Sequence, residues 1–295
     1  MYRKSGRIVY QGVCGSFSHA VAKKIFPDGE LISCVTFEDV YSCIENMNAD
    51  YGVLPIENSL YGRVYDMYSL LRSARLYIVG EYFYRIHQNL LAIPGSCLED
   101  IREAYSHPVA LGQCRGFLKE NRIRPVSFTD TAGAAEYVAG LQRADCAAIA
   151  SLECVELYNL TVLAKSIEDS NNNTTRFLVM SLHQADVIKS DIDDIRITSF
   201  VFITMNVPSA LYNVLGCFAK HNVNMLKLES CMLGDNFSSA GFYAEIEQHI
   251  NIDNAQIAMD EARKITTEFI ILGTYARDKW RIKKTIPIED NANMN

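Results

Sequence analysis

Thr174-Thr175-Arg176-Phe177 places two hydroxyls beside a guanidinium at the start of an apolar run, directly after Asn171-Asn172-Asn173. Arg is the side chain suited to bidentate carboxylate recognition. The segment is therefore either a carboxylate-binding strand start or an ordinary surface one. Glu57-Asn58-Ser59 follows apolar Val53-Leu54-Pro55-Ile56. Polar groups at the carboxyl end of a parallel strand line the cleft of an α/β fold; the plainer alternative is a turn with Glu57 tied to Arg63. The loop Gln11-Gly12-Val13-Cys14-Gly15-Ser16, followed by Ser18 and His19, lacks the GxGxxG spacing, and no GxxxxGK[ST] occurs. Its small residues at a strand end and helix start suit either an anion on free amides or ordinary capping. Ser106-His107 invites a nucleophile–base reading, but neighbours in sequence need not face each other and no GxSxG elbow is present. A capping serine with a satisfied histidine is the better reading. No His, Asp or Glu grouping makes a metal site.

The frame that must position these groups is globular. The chain has 295 residues, a prior of two domains, with 49% hydrophobic and 21% charged residues. A formal net charge of −7 gives no basis for broad nucleic-acid or anionic-membrane binding. Trp280 and the 16 tyrosines form no basic-aromatic array and are packing residues. Nine scattered cysteines without a CxxC pair make a poor disulfide framework and a poor zinc site. The start has a basic flank without an apolar h-region, and no run of 18 apolar residues occurs. The expected compartment is reducing and cytoplasmic, with the asparagine sequons there by chance.

Strand-like runs alternate with helical patterns through the first 180 residues. Residues 8–12, 31–35 and 51–56 are expected strands, with a helix after the first carrying Phe17, Val21 and Ile25 at i, i+4 and i+8. Thr36 and Asp39 fit a capping box for a helix through Met47. A helix over Asp66–Ala74 precedes two long strands within 77–93. Ser96 and Glu99 can box a short helix, and Pro108 suits a helix start. Strands at 104–105, 126–130 and 146–151 surround helices, one starting near Thr131. Helical connections of this length imply mostly parallel sheets covered on both faces. The long strands near 84–90, and the return at 165–175, are where the chain would cross between two lobes.

From about 195 the order becomes βαββαβ, the ferredoxin-like arrangement. Ser209 can cap a helix with Leu211, Val214, Leu215 and Phe218 on one face. The polar segment 183–194 serves as linker, and the residues after Pro287 as a loose tail. Phe200, Phe202 and Tyr243 are expected to supply apolar surface on the sheet.

At this point a resemblance enters. LPIENSLYGRVYDMYSLL (54–71), YSHPVALGQC (105–114), DTAGAAEYVA (130–139) and NNTTRFLVM (172–180) resemble the motifs of the prephenate dehydratase family. YQGVCGSFSHAVA resembles the family's opening segment, and PSALYNVLGCFAKHNVNMLKLES its regulatory ACT domain. The likeness spans about residues 8–280. It implies a two-lobed catalytic domain over 8–182, like a periplasmic binding protein, then an ACT domain over 195–280. It implies conversion of prephenate to phenylpyruvate, CO2 and water in phenylalanine synthesis, with no cofactor and no metal. The length leaves no room for an N-terminal chorismate mutase bundle, so the monofunctional form is expected.

Carried over by motif, Thr175 is the catalytic threonine and Arg176 the substrate carboxylate binder, with Glu57, Asn58, Ser59, Ser16, Ser106, His107, Thr131 and Phe177 completing the cleft. The sequence departs from the family at Val13-Cys14 and Gly112. The phenylalanine site would draw on Ser209, Ala210, Leu211, Asn222, Asn224, Glu229 and Ser230, with Ser209 in place of a glycine, and Cys231-Met232 in place of Arg-Pro. L-Phenylalanine is the expected effector and a homodimer or homotetramer the expected assembly, without nucleic-acid or membrane partners. Rival readings are arogenate dehydratase and a non-catalytic small-carboxylate or phenylalanine binder.

Overall fold

Short β-branched runs separated by amphipathic helical turns give a mixed α/β architecture in the computed structural model, which describes residues 5–64, 67, 70–72, 75–184, 195–231, 240–249 and 253–281. These fall into two units. One holds the described residues of 4–64 and 84–177, the other those of 65–83 and 178–295.

Two sheets carry the strands that precede residue 195, and of these strands residues 77–83 and 178–181 fall in the second unit. Strands β1 (Arg7–Gln11), β2 (Glu30–Cys34), β3 (Tyr51–Asn58), β4 (Gly62–Arg63), β5 (Tyr77–Arg85) and β11 (Thr174–Ser181) form a sheet of order β2-β1-β3-β11-β5, with β4 pairing β3. Strands β6 (Asn89–Ala92), β7 (Glu103–Ser106), β8 (Arg124–Ser127), β9 (Cys146–Ala150) and β10 (Thr161–Ala164) form another, of order β10-β6-β9-β7-β8. The parallel expectation holds for β2-β1-β3 and β9-β7-β8. It fails at β6, which is antiparallel to both β9 and β10.

Both faces of the second sheet are covered. Leu90, Ala104, Leu111, Leu118 and Ile149 share one core, and Leu91, Ala132, Ala135, Val138 and Ala148 the other. The alternation Ala147/Ile149 against Ala148/Ala150 follows the two-residue period of a strand.

Helix α1 (Phe17–Ile25) is capped by Ser16, and α2 (Phe37–Glu45) by the full Thr36–Asp39 box. The helix expected through 110–118 is two, α3 (Pro108–Gln113) and α4 (Arg115–Glu120), broken where Cys114 takes φ −118°, ψ 23°. Ser96 makes no cap: the short 3-10 turn Leu98–Asp100 starts at Cys97 without a side-chain bond, and the Ser96 hydroxyl is buried and unpartnered. Helix α5 (Thr131–Leu141) is capped by Asp130, and α6 (Glu153–Tyr158), which the sequence pattern did not suggest, follows β9.

The second unit contains β12 (Ile195–Thr204), α7 (Ala210–Lys220), β13 (Met225–Cys231), β14 (Gly241–His249), α8 (Asn254–Lys264) and β15 (Thr266–Ala276), with sheet order β13-β14-β12-β15. This is the expected βαββαβ topology. Phe200 and Phe202 do not present apolar surface. Both are fully buried beneath α7 and α8, and Phe200 stacks on Phe218 and Phe269 at 5.5 and 4.8 Å. Tyr243 lies on the other face, also fully buried, and donates to Glu245 at 2.5 Å. That face is covered from within the same unit. Arg281 bonds Glu81 of β5 through Nε (2.7 Å) and Nη2 (2.9 Å) and reaches Glu245 at 2.9 Å, while Trp280 stacks on Phe83 at 4.3 Å. The polar linker and the tail after Pro287 lie outside the described residues, apart from His183 and Gln184.

Ser209 occupies the N-cap position of α7 but takes φ +64° and makes no side-chain cap bond. A Cβ in the left-handed region costs about 1 kcal/mol. Ser209→Gly is therefore expected to raise the melting temperature of this unit by a few degrees, read by calorimetry; an unchanged or lower value would contradict the strain.

Candidate functional site

The end of β3 meets the start of β11. Ser59 N–H donates to the Thr174 carbonyl at 2.9 Å, Thr174 N–H donates to Ser59 Oγ at 3.0 Å, and the Ser59 hydroxyl donates to the Asn172 carbonyl. With both directions of its hydroxyl used, Ser59 staples the two segments together. Glu57 and Asn58 belong to β3, not to a turn, and Glu57 stands opposite Arg63 of β4.

Asn58 is the hub. Its Oδ1 accepts the N–H groups of Leu60 (2.9 Å) and Tyr61 (3.2 Å), an Asx-type turn. Its Nδ2 donates to Asn173 Oδ1 at 2.8 Å and to Thr175 Oγ1 at 2.9 Å. Thr175 is therefore an acceptor toward Asn58, and among the described residues its own hydroxyl hydrogen has no acceptor. A hydrogen bond received at Oγ1 strengthens the one that the same oxygen donates. Thr175 is a hydroxyl prepared to give a hydrogen bond.

Arg176 is 1% exposed and pairs through Nη1 with Glu57 Oε1 at 3.1 Å; Glu57 is 28% exposed. The carboxylate is the more accessible partner. Phe177 is buried behind them.

The other predicted residues make contacts of their own. Ser16 accepts from His19 N–H at 3.2 Å and caps α1. The loop before it lies against the second sheet's helices: Gly15 accepts from the Ser151 hydroxyl at 2.6 Å, and a Cβ on Gly15 (φ +88°) would meet Cys154 Sγ at 2.9 Å and Ala132 Cβ at 3.5 Å. Thr131, half-buried, opens α5 beside Ala132. His107, not Ser106, caps α3, its Nδ1 accepting from Val109 N–H at 3.2 Å. Ser106 is fully buried and donates to the Ile149 carbonyl at 2.6 Å. Tyr61 links the hub to α3 through the Val109 carbonyl at 3.4 Å.

The structure thus brings Glu57, Asn58, Ser59, Thr175 and Arg176 together, ends the opening loop at Ser16 with Gly15 near Ala132, and commits Ser106 to the second sheet. Sequence reasoning missed Asn173. Its place at the end of the Asn-rich segment, two residues before Thr175, was the available signal.

His19 fixes the opening loop. Its Nδ1 accepts from Gly15 N–H at 3.3 Å, so in the neutral ring Nε2 carries the hydrogen and faces Cys14 Sγ at 3.6 Å. Burial holds its pKa below the usual 6.5, with Glu153 opposing and Lys23 adding to the effect. The unfolded chain then binds the extra proton first, so stability is present above pH 6.5 and is lost as pH falls toward the depressed folded pKa. His19→Gln is expected to flatten this loss below pH 6.5, measured as melting temperature against pH; an unaltered slope would refute the assignment.

The sequence matches the prephenate dehydratase family over residues 8–185. The chain belongs to the prephenate dehydratase family. It is 38% identical over 276 residues, 94% of this chain and 98% of the relative, to the bifunctional N-acyl-homoserine lactone acylase/prephenate dehydratase of Komagataeibacter europaeus. It is 36% identical over 286 residues to arogenate dehydratase 2 of Petunia hybrida, covering 92% of this chain and 72% of that one. The solved prephenate dehydratase of Arthrobacter aurescens in complex with L-Phe superposes with a TM-score of 0.82 at 26% identity, over 92% of this chain and 90% of that one. Prephenate dehydratase membership carries a dehydratase role in aromatic amino-acid biosynthesis. Among the described residues no helix is long and apolar enough to cross a membrane, and no group of three or more His, Cys, Asp or Glu is placed to hold a metal.

In the second unit the residues proposed for phenylalanine split. Ser209, Ala210 and Leu211 start α7, on the side where Cys231 pairs with Gly241, next to Glu229 and Ser230. Asn222 and Asn224 follow the other end of this 11-residue helix, about 16 Å away, and Asn224 donates to Glu247 at 2.7 Å. Met232 lies outside the described residues.

Proposed function

We propose that this chain is a prephenate dehydratase, converting prephenate to phenylpyruvate, CO2 and water. The observation that carries the reading is Thr175, whose oxygen accepts from Asn58 while its own hydrogen is left to donate. In the reaction the bond to the ring carboxyl breaks, its electron pair enters the ring, and the ring C–O bond opens with the oxygen leaving as water. Restored aromaticity drives the step, and no redox partner is needed. What the protein supplies is a hydrogen bond or proton at the leaving oxygen, from Thr175 in this proposal, a contribution of roughly 10²–10⁴ in rate.

The ring carboxylate loses its charge in the transition state, so a tight clamp there would favour the ground state. Arg176 is accordingly assigned to the pyruvyl carboxylate or the shared rim. Its burial under Glu57 means that it acts on the substrate as Glu57 yields, with the amides near Ser16, His107 and Thr131 as helpers. Residues 8–182 form the proposed catalytic domain and 195–280 the ACT domain. L-Phenylalanine is the proposed effector at the Ser209–Leu211 and Glu229–Ser230 end, in a cytoplasmic homodimer or homotetramer of the monofunctional form. Binding inhibits only where phenylalanine favours a less active state by a differential free energy.

The arogenate dehydratase relatives support a second reading, the same elimination on an amino-bearing side chain. The acylase named in the Komagataeibacter relative finds less support. Cys14 is exposed beside His19, but Gly15 N–H holds the ring with its hydrogen toward sulfur, so the imidazole is not set to take a proton from the thiol.

Incubating the purified chain with prephenate, arogenate and an N-acyl-homoserine lactone separates the three. Formation of phenylpyruvate is expected. Its absence, with turnover of either other compound, would overturn the proposal.

A further inference from the structure

Asn173 is fully buried, yet among the described residues its Nδ2 has no hydrogen-bond partner. An orphaned buried donor is destabilising, and a leucine of similar size would avoid it. Rotating the amide offers no relief, because Nδ2 would then face the Nδ2 of Asn58, donor against donor. What remains to explain the residue is its oxygen, held 2.8 Å from Asn58 Nδ2.

We propose that Asn173 is a positioning residue whose carbonyl oxygen sets which end of the Asn58 carboxamide faces Thr175. The inference rests on the dehydratase reading of the same site. In the observed orientation Asn58 gives Thr175 a hydrogen and leaves the threonine proton for the leaving oxygen. Turned over, Asn58 would offer Thr175 an acceptor, which would capture that proton. The Leu60 and Tyr61 N–H groups hold Asn58 Oδ1 away from Thr175, and Asn173 Oδ1 completes the orientation by accepting from Asn58 Nδ2. Asn173 touches no reacting atom; it acts through Asn58.

The test measures initial rates of the full chain with whichever of prephenate or arogenate the wild type turns over. Asn173→Ala is expected to lower kcat roughly 10- to 100-fold with KM within about threefold. Asn173→Asp, which keeps an acceptor and removes the orphaned donor, should recover several-fold of that loss. In an Asn58→Ala background, adding Asn173→Ala should change kcat by less than about twofold, since the two residues act as one unit. Asn173→Leu carries the same comparison if the alanine variant does not melt cooperatively. A folded Asn173→Ala or Asn173→Leu chain with kcat within about threefold of wild type overturns the inference. So do losses that multiply in the double variant, an aspartate no better than alanine, or failure of both apolar variants to fold. An active wild type confines any of these failures to Asn173; a wild type inactive on both substrates removes the dehydratase reading and this inference with it.

Discussion

Thr175→Val lowers kcat by roughly 10²–10⁴ with KM within about threefold, the signature of an interaction made only in the transition state. Valine keeps the branched shape of a side chain that is 9% exposed, so packing is little disturbed. It removes the one oxygen that receives the Asn58 hydrogen at 2.9 Å and can pass one on. Asn58 Nδ2 is then left one acceptor short, and a modest loss of stability accompanies the kinetic one. Thr175→Ser restores the hydroxyl and should recover most of the rate, less what the freer rotamer costs. Following aromatic product at saturating substrate decides the matter. A valine variant within threefold of wild-type kcat would remove Thr175 from the reaction.

The second large effect falls on binding. Arg176→Lys should raise KM by roughly 30-fold or more, the range of effects found when one member of a buried charge pair is disturbed. Lysine retains the charge but not the planar fork, and its compact ammonium must shed more water to enter a position that is 1% exposed. The 3.1 Å contact of Glu57 with Arg176 Nη1 is lost with the guanidinium. Removing the opposing charge as well should relieve part of the defect, so Glu57→Gln combined with Arg176→Lys is expected to bind better than Arg176→Lys by itself. KM and melting temperature are measured together. A KM within twofold of wild type would show that the guanidinium does not serve substrate.

Much of this arrangement was legible because local rules and tertiary packing agree. The Thr36–Asp39 box, the strand and helix at the two ends of the opening loop and the βαββαβ order all follow from periodicity and capping chemistry. The misses come from contacts distant in sequence. Pattern made the helix after Pro108 continuous, but Cys114 breaks it, and an amphipathic stripe does not register a break that keeps the same face buried. Phe200 and Phe202 read as surface for assembly because a strand's alternation cannot say which of its two faces the helices cover. The Thr174-Thr175-Arg176-Phe177 motif was visible as a string, whereas the bonds from Asn58 to Asn173 and Thr175 join residues 115 and 117 positions apart. Ser106 shows the same limit, since its acceptor is on a strand 43 residues further along.

The pairing of Glu81 with Arg281 and Glu245 bears on how such a chain can be recombined. A gene fragment encoding only residues 195–281 would carry the complete βαββαβ topology, yet it would strand the Arg281–Glu245 pair without the carboxylate and aromatic ring that β5 supplies through Glu81 and Phe83. The βαββαβ segment is thus not a cassette with clean borders. Its transplantation onto another protein is expected to need residues 75–83 as well, because Glu81 and Phe83 come from that segment.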